Sequence, residues 1–151
     1  MTIKITSKVF DEGEHIPDKY ACKGLNISPP LDWEVVSGTA KYAIICEDPD
    51  APSGTWTHWV IFNLPGEKNS IQEWIMDREE QKNGARQGLN DFGTVGYSGP
   101  CPPGGTHRYY YKVYALDTEI PLPPKISKTD LLKAMEGHII DEGSLMGRYT
   151  R

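Results

Sequence analysis

Asp48, Asp50 and His58 fall within one short stretch, DPDAPSGTWTHW, that runs from Asp48 to Trp59. Two carboxylates and an imidazole between two indoles, with Pro49 and Pro52 stiffening the backbone, exceed what a turn requires. His107 and Tyr109 stand in a second stretch, GYSGPCPPGGTHRYYYKVYALD, again directly after a loop dense in glycine and proline. A carboxylate that accepts from one ring nitrogen of a histidine fixes the tautomer and aims the other nitrogen outward. Imidazole N–H, phenol O–H and loop backbone N–H groups donate hydrogen bonds without a lysine cluster. These residue types suit a small anion pocket, with Asp48 as the orienting group. A lone histidine of this kind is more often a satisfied core residue. Two of them at matching strand ends argue for a site.

Strands must position these groups. IKITSKVF, KYAIICE, HWVIFNL and HRYYYKVYALD are rich in β-branched and aromatic residues and are bounded by turn formers. Strict alternation puts Val60 and Phe62 on the side of His58, with Trp59 and Ile61 on the other. By the same rule His107, Tyr109 and Tyr111 share a face, opposite Arg108, Tyr110 and Lys112. Apolar residues on both parities make HWVIFNL a central strand buried on both faces, in a sandwich rather than an open sheet. The segment Gly96 to Gly105 cannot be a strand interior, because proline removes ladder donors and glycine weakens the strand. It forms a wall in which glycine lets a ligand or backbone approach closely. SKTDLLKAMEGH predicts a helix, with Ser127 as N-cap, Asp130 completing the cap, and Leu131, Leu132 and Met135 as the apolar face. DREEQKNGA predicts a weaker, solvated helical turn. The reading is one mostly-β domain over residues 1–151 with a late helix.

Composition narrows the partners. Lys and Arg total 16 against 21 Asp and Glu, a formal net charge of −5 in 151 residues, which argues against nucleic acid or an anionic membrane as the main partner. No apolar run approaches the roughly 18 residues of a membrane helix. MTIKITSKVF alternates like a strand rather than reading as a signal peptide, so a cytoplasmic location is expected. Cys22, Cys46 and Cys101 are too few for a disulfide scaffold and lack zinc-ligand spacing. Cys46 reads as a core residue; Cys22 and Cys101 lie in proline- and glycine-rich loops that could approach each other, with two free thiols preferred over a bridge on compartment grounds. Trp33, Trp59 and Trp74 read as core or rim residues, Trp56 as a candidate beside the site. His15 reads as solvated and His138 as a helix C-terminal cation.

DPDAPSGTWTHWVIFNLP, GPCPPGGTHRYYYKVYALD and YACKGLNISPPLDW together resemble the signature segments of the phosphatidylethanolamine-binding protein family, also called Raf kinase inhibitor proteins. The ending LMGRYTR is similar to the compact prokaryotic, Raf-kinase-inhibitor-like branch. The resemblance runs over nearly the whole chain. It implies a β-sandwich of two antiparallel sheets with one or two short helices, and a small pocket at one end for phosphate-like and other anionic groups. Carried onto this sequence, Asp48 and Pro52 form one wall and His58 the floor. Gly99 and Pro100 supply backbone to the ligand, and His107 and Tyr109 complete the donors. Asp50 either joins the site or holds the turn. A cis proline bond is also implied, with Ala51–Pro52 as the candidate. Animal members continue into a further C-terminal helix, whereas this sequence ends at Arg151, which implies a more open pocket or one covered by the second subunit of a homodimer.

Three functions follow as expectations. The first is a binding and regulatory protein for a small anionic ligand, with a kinase or protease partner left open. The second is a serine-protease inhibitor presenting GPCPPGG or DAPSGT as a rigid loop. The third is an enzyme using His58 and His107 as acid and base, with Asp48 orienting one of them. No nucleophile stands beside a base in the sequence, and the family does not generally use a metal. Neither catalysis, a metal nor a cofactor is therefore expected.

Overall fold

The computed structural model describes residues 2–151. Its strands are β1 (Ile5–Thr6), β2 (Leu31–Trp33), β3 (Lys41–Asp48), β4 (Trp56–Pro65), β5 (Ser70–Ile71), β6 (Arg86–Gln87), β7 (Thr106–Leu116) and β8 (Ile139–Thr150). One helix, α1 (Lys128–Met135), lies between β7 and β8, and a short 3-10 turn spans Asp18–Tyr20. The strands form two antiparallel sheets, one in the order β6-β4-β3-β7-β8 and the other β1-β2-β5. Between them lies the main core, where Ile5, Leu31, Trp33 and Ile71 of the smaller sheet meet Tyr42, Ile44, Cys46, Trp59, Ile61 and Tyr111 of the larger.

The central strands are buried on both faces, as their two-sided apolar pattern requires. Ala43, Ile45, Val60 and Phe62 turn away from the main core and are covered by Ile120 and by Leu131 and Met135 of α1. Ser127 caps that helix: its Oγ accepts the Asp130 N–H at 3.1 Å, and Asp130 Oδ2 accepts the Ser127 N–H at 3.5 Å. Leu132 is exposed, so the apolar face is narrower than the sequence pattern implied.

Three elements differ from the sequence reading. IKITSKVF is a strand only at Ile5–Thr6. DREEQKNGA holds no helix; it is a turn in which the Gln81 N–H bonds the Ala85 carbonyl at 2.7 Å, and Asn83 Oδ1 accepts the Ala85 N–H at 3.0 Å. Gly84, at φ 90°, supplies the left-handed residue that such a turn needs. The third element is β8, which the sequence did not announce. IIDEGSLMGRYT carries two glycines and an acidic pair, and its extended form is imposed by pairing with β7 along its whole length. At Gly143 a side chain would overlap the Ile3 carbonyl, and at Gly147 it would meet Ile16 and Phe10. Both glycines let the N-terminal segment lie against β8, where Ile3 N–H and Ile16 N–H bond the carbonyls of Glu142 and Arg148 at 3.0 and 2.7 Å. That segment covers an edge otherwise open to pairing with another chain.

Candidate functional site

Asp48 is the last residue of β3 and is only 3% exposed. Its Oδ1 accepts the Asp50 N–H at 2.7 Å and its Oδ2 accepts His107 Nδ1–H at 2.7 Å. One carboxylate thus ties the turn after β3 to the start of β7. An ionised carboxylate only accepts, so Nδ1 of His107 carries the proton and Nε2 faces away from Asp48. Asp50 serves the turn: its carboxylate takes Arg108 Nη2 at 2.8 Å, Nε at 2.9 Å and the Arg108 backbone N–H at 2.9 Å. These bonds to Arg108 hold the Asp50 carboxyl down at about 2. A lowered carboxyl pKa adds stability above the ordinary carboxylate range, and that stability is lost as pH falls toward the folded-state value. Asp50→Asn is therefore expected to flatten the acid limb of a pH-denaturation curve below about pH 4 and to raise amide exchange in residues 50–55. An unchanged acid limb and unchanged exchange would remove Asp50 from the turn's support.

His58 is placed by an irregularity in β4. Cys46 pairs with Trp59 and Glu47 with Thr57, which leaves His58 as an extra residue with no partner on β3. This is a β-bulge, and a bulge re-aims the side chain it carries. The imidazole lies edge-to-face on Tyr109 at 5.2 Å and on Phe92 at 5.4 Å. It shares the face of Trp59 and Tyr109, so strict alternation, which put it with Val60 and Phe62, is corrected. Nδ1 of His58 donates to the Ser98 carbonyl at 2.6 Å. Burial lowers the His58 pKa, against the opposing pull of the Ser98 carbonyl and the charges of Asp48 and Asp91. The imidazole is then neutral near pH 7, and its free Nε2 is an acceptor.

Tyr109 lies between the two imidazoles, in edge-to-face contact with His58 and stacked at 6.5 Å on His107. Its hydroxyl is buried without a hydrogen-bond partner, and so is Nε1 of Trp56, the residue paired with Asp48 across β3 and β4. Burial and the Asp48 carboxylate push the Tyr109 pKa up, so the phenol stays a neutral donor.

The loop 96–105 behaves differently from the expectation that the resemblance carried. The Gly99 N–H is spent on Asn26 Oδ1 at 2.7 Å, and the Pro100 carbonyl on the Cys22 N–H at 3.0 Å. Neither offers a free main-chain group of that kind to a ligand. The same bonds draw the loops together until Cys22 and Cys101 stand 5.4 Å apart at Cα and form a disulfide, within ordinary bridging distance. The expected two free thiols are thus a bridge, and Cys46 alone is free and buried. Pro52 is exposed in the turn. Every peptide bond among the described residues is trans, Ala51–Pro52 included.

Sequence reasoning missed Phe92, Ser98 and Asn26. Phe92 is 45% exposed, yet its ring meets Trp56 at 5.5 Å as well as His58. Asn90 Oδ1 shapes its turn by accepting the N–H groups of Phe92 and Thr94 at 2.9 and 3.2 Å, and Asp91 Oδ2 fastens it to β4 through the Thr57 N–H at 2.6 Å. A large aromatic in the turn sequence NDFGT was the available signal.

Residues 6–150 match the family model described as phosphatidylethanolamine-binding protein. A protein of Methanothermobacter thermautotrophicus named only as a UPF0098 protein is 51% identical over 150 residues, covering 99% of each chain. Among solved structures, a putative phosphatidylethanolamine-binding protein homolog from Chlamydia trachomatis superposes with TM-score 0.90 at 40% identity, covering 99% of this chain and 98% of that one. E. coli YbcL, described as a member of the mammalian family, gives TM-score 0.90 at 32% identity over 100% of this chain and 99% of its own. Its two-sheet fold, its helix before the last strand and these matches make the chain a member of the phosphatidylethanolamine-binding protein family.

Proposed function

We propose that this protein is a binding protein whose site, framed by Asp48, Trp56, His58, His107 and Tyr109, takes a small phosphate-like anion. The observation that carries the reading is the Tyr109 hydroxyl, buried among two imidazoles and a carboxylate with no partner. A buried donor left unpaired costs about 1–3 kcal/mol, and an acceptor oxygen of a bound anion would satisfy it. The unpartnered Trp56 Nε1 beside Asp48 supports the same reading. Phe92, exposed at the edge of the aromatic wall, offers an apolar surface to whatever the anionic group is attached to.

Binding is preferred over acid–base catalysis on the state of His58. Its Nδ1 is held by a main-chain carbonyl rather than a carboxylate, and burial makes the ring a weaker base than a free histidine. Tyr109→Phe keeps the ring and removes only the donor. Titration calorimetry with inorganic phosphate should show affinity weaker by about tenfold or more, since a hydrogen bond to a charged group contributes about 1.5–3 kcal/mol. Parental phosphate affinity in a folded Tyr109→Phe would sink the reading.

A further inference from the structure

We propose that the site selects oxyanions that carry their own proton, namely inorganic phosphate and monoanionic phosphate monoesters, and discriminates against fully ionised oxyanions such as sulfate. The inference rests on the anion-binding reading above and goes beyond it to the ligand's protonation state. It follows from the site's count of donors and acceptors.

His58 Nδ1 is fixed on the Ser98 carbonyl at 2.6 Å, which makes the opposite ring edge, Nε2, a lone pair. Among the described residues Nε2 makes no hydrogen bond within the chain. The groups around the ring come from every neighbouring element. Asp48 stands on β3, Tyr109 on β7, Asp91 and Phe92 in the turn before the loop, and Ser98 and the Gly99 backbone in the loop itself. The charges that act on it, Asp48 and Asp91, are both negative. Asp48 is already engaged with His107 at 2.7 Å. Both charges pull toward a second proton on His58, but burial outweighs them and keeps the ring neutral before a ligand arrives.

An anion with only acceptor oxygens would set a lone pair against the Nε2 lone pair, or would have to draw a proton from solvent into a buried ring. A ligand with one O–H avoids both costs. Its hydroxyl donates to His58 Nε2, while another of its oxygens accepts from the Tyr109 hydroxyl. Hydrogenphosphate keeps such a proton through the physiological range and sulfate does not. A phosphate monoester keeps it only below its second pKa, about 6. A buried site punishes an unmatched polar contact far more than an exposed one does, which is how a one-proton difference becomes selectivity.

The test is titration calorimetry of the intact protein with inorganic phosphate and with sulfate, at pH 8 and pH 5.5, each in two buffers of different ionisation enthalpy. At pH 8 phosphate should bind without net proton uptake, with sulfate weaker by about tenfold or more, the loss of one hydrogen bond. At pH 5.5 sulfate should gain affinity and take up about one proton per site, as the imidazole charges with the anion in place. Nitrogen NMR of the phosphate-loaded protein at pH 8 should report a His58 Nε2 that is unprotonated and hydrogen-bonded, a readout that needs no variant. His58→Gln, whose amide can rotate to donate or accept, should reduce the preference toward unity. Comparable sulfate and phosphate affinities at pH 8 without proton uptake, or a protonated Nε2 in the loaded protein, would overturn the inference and leave the anion reading standing. Failure of both ions to bind at either pH would overturn the anion reading, and this inference with it.

Discussion

Asp48→Ala is expected to destabilise the domain by about 3–5 kcal/mol, the cost of removing one partner from a buried, hydrogen-bonded pair. The carboxylate is 3% exposed and does two jobs at once, accepting from His107 Nδ1 at 2.7 Å and from the Asp50 N–H at 2.7 Å. Its loss leaves a 7%-exposed imidazole with an unmatched N–H and frees the turn that Asp50 and Arg108 brace. Most of the penalty belongs to the stranded histidine rather than to the bond itself, and a double-mutant cycle separates the two. Asp48→Ala and His107→Ala should each destabilise strongly, while the double variant should cost little more than Asp48→Ala alone. Denaturant unfolding of the four proteins measures this. Additive losses would mean that the pair is not coupled. Asp48→Asn offers a gentler version, because its amide oxygen still accepts from Nδ1–H while the charge is gone. It should keep more stability than Asp48→Ala, and a loss as large as that of alanine would show that the charge, not the acceptor, matters.

The parts of this fold that were legible in the sequence are those fixed by local chemistry. KYAIICE, HWVIFNL and HRYYYKVYALD declare β3, β4 and β7 through β-branched and aromatic residues, and Ser127 with Asp130 declares the start of α1. Residue types also suggested that Asp48 would orient a histidine, and it accepts from His107. The missed parts depend on distant segments. At the bulge beside His58 the Thr57 N–H is taken by Asp91 of another loop, a partner that no rule of alternation within β4 could reveal. His58 was read as a donor to an anion, but its tautomer is set by the Ser98 carbonyl, a group from another loop. Gly99 was read as ligand-facing, but Asn26 had already claimed its N–H. Strand β8 was invisible because its glycines serve the N-terminal segment and not the strand. Backbone groups and long-range partners carry no label in the sequence, and this site is built largely from them.

Gly99→Ala is the second large effect. A Cβ at this position would overlap the Tyr20 carbonyl oxygen and approach Asn26 Oδ1 to 2.9 Å. The obstacle is main chain, further fixed by the Tyr97 hydroxyl donating to that carbonyl at 2.8 Å, so it cannot swing aside as a flexible side chain would. Overpacking of this kind costs about 1–3 kcal/mol, and displacement of the loop would also strain the Gly99–Asn26 bond. Asn26→Ala serves as the control, because it removes the acceptor without adding bulk and should cost less. The consequence for the site runs through Ser98. Its carbonyl accepts from His58 Nδ1 and its N–H donates to the His58 carbonyl at 3.0 Å, so moving residue 99 loosens the imidazole and admits water. Burial lowers the His58 pKa in the parent; opening the loop should raise it toward the ordinary value near 6.5. A histidine with a lowered folded-state pKa contributes full stability above its unfolded pKa, and stability falls as pH drops below that value, because the unfolded chain binds the proton first. The parent should therefore lose stability as pH falls below about 6.5, and Gly99→Ala should start lower and show a shallower loss there. Denaturant unfolding across the range, with NMR titration of His58, reads both. Parental stability with an unchanged His58 titration would mean that the added methyl finds room, and that the Gly99 contact does not set the state of the imidazole.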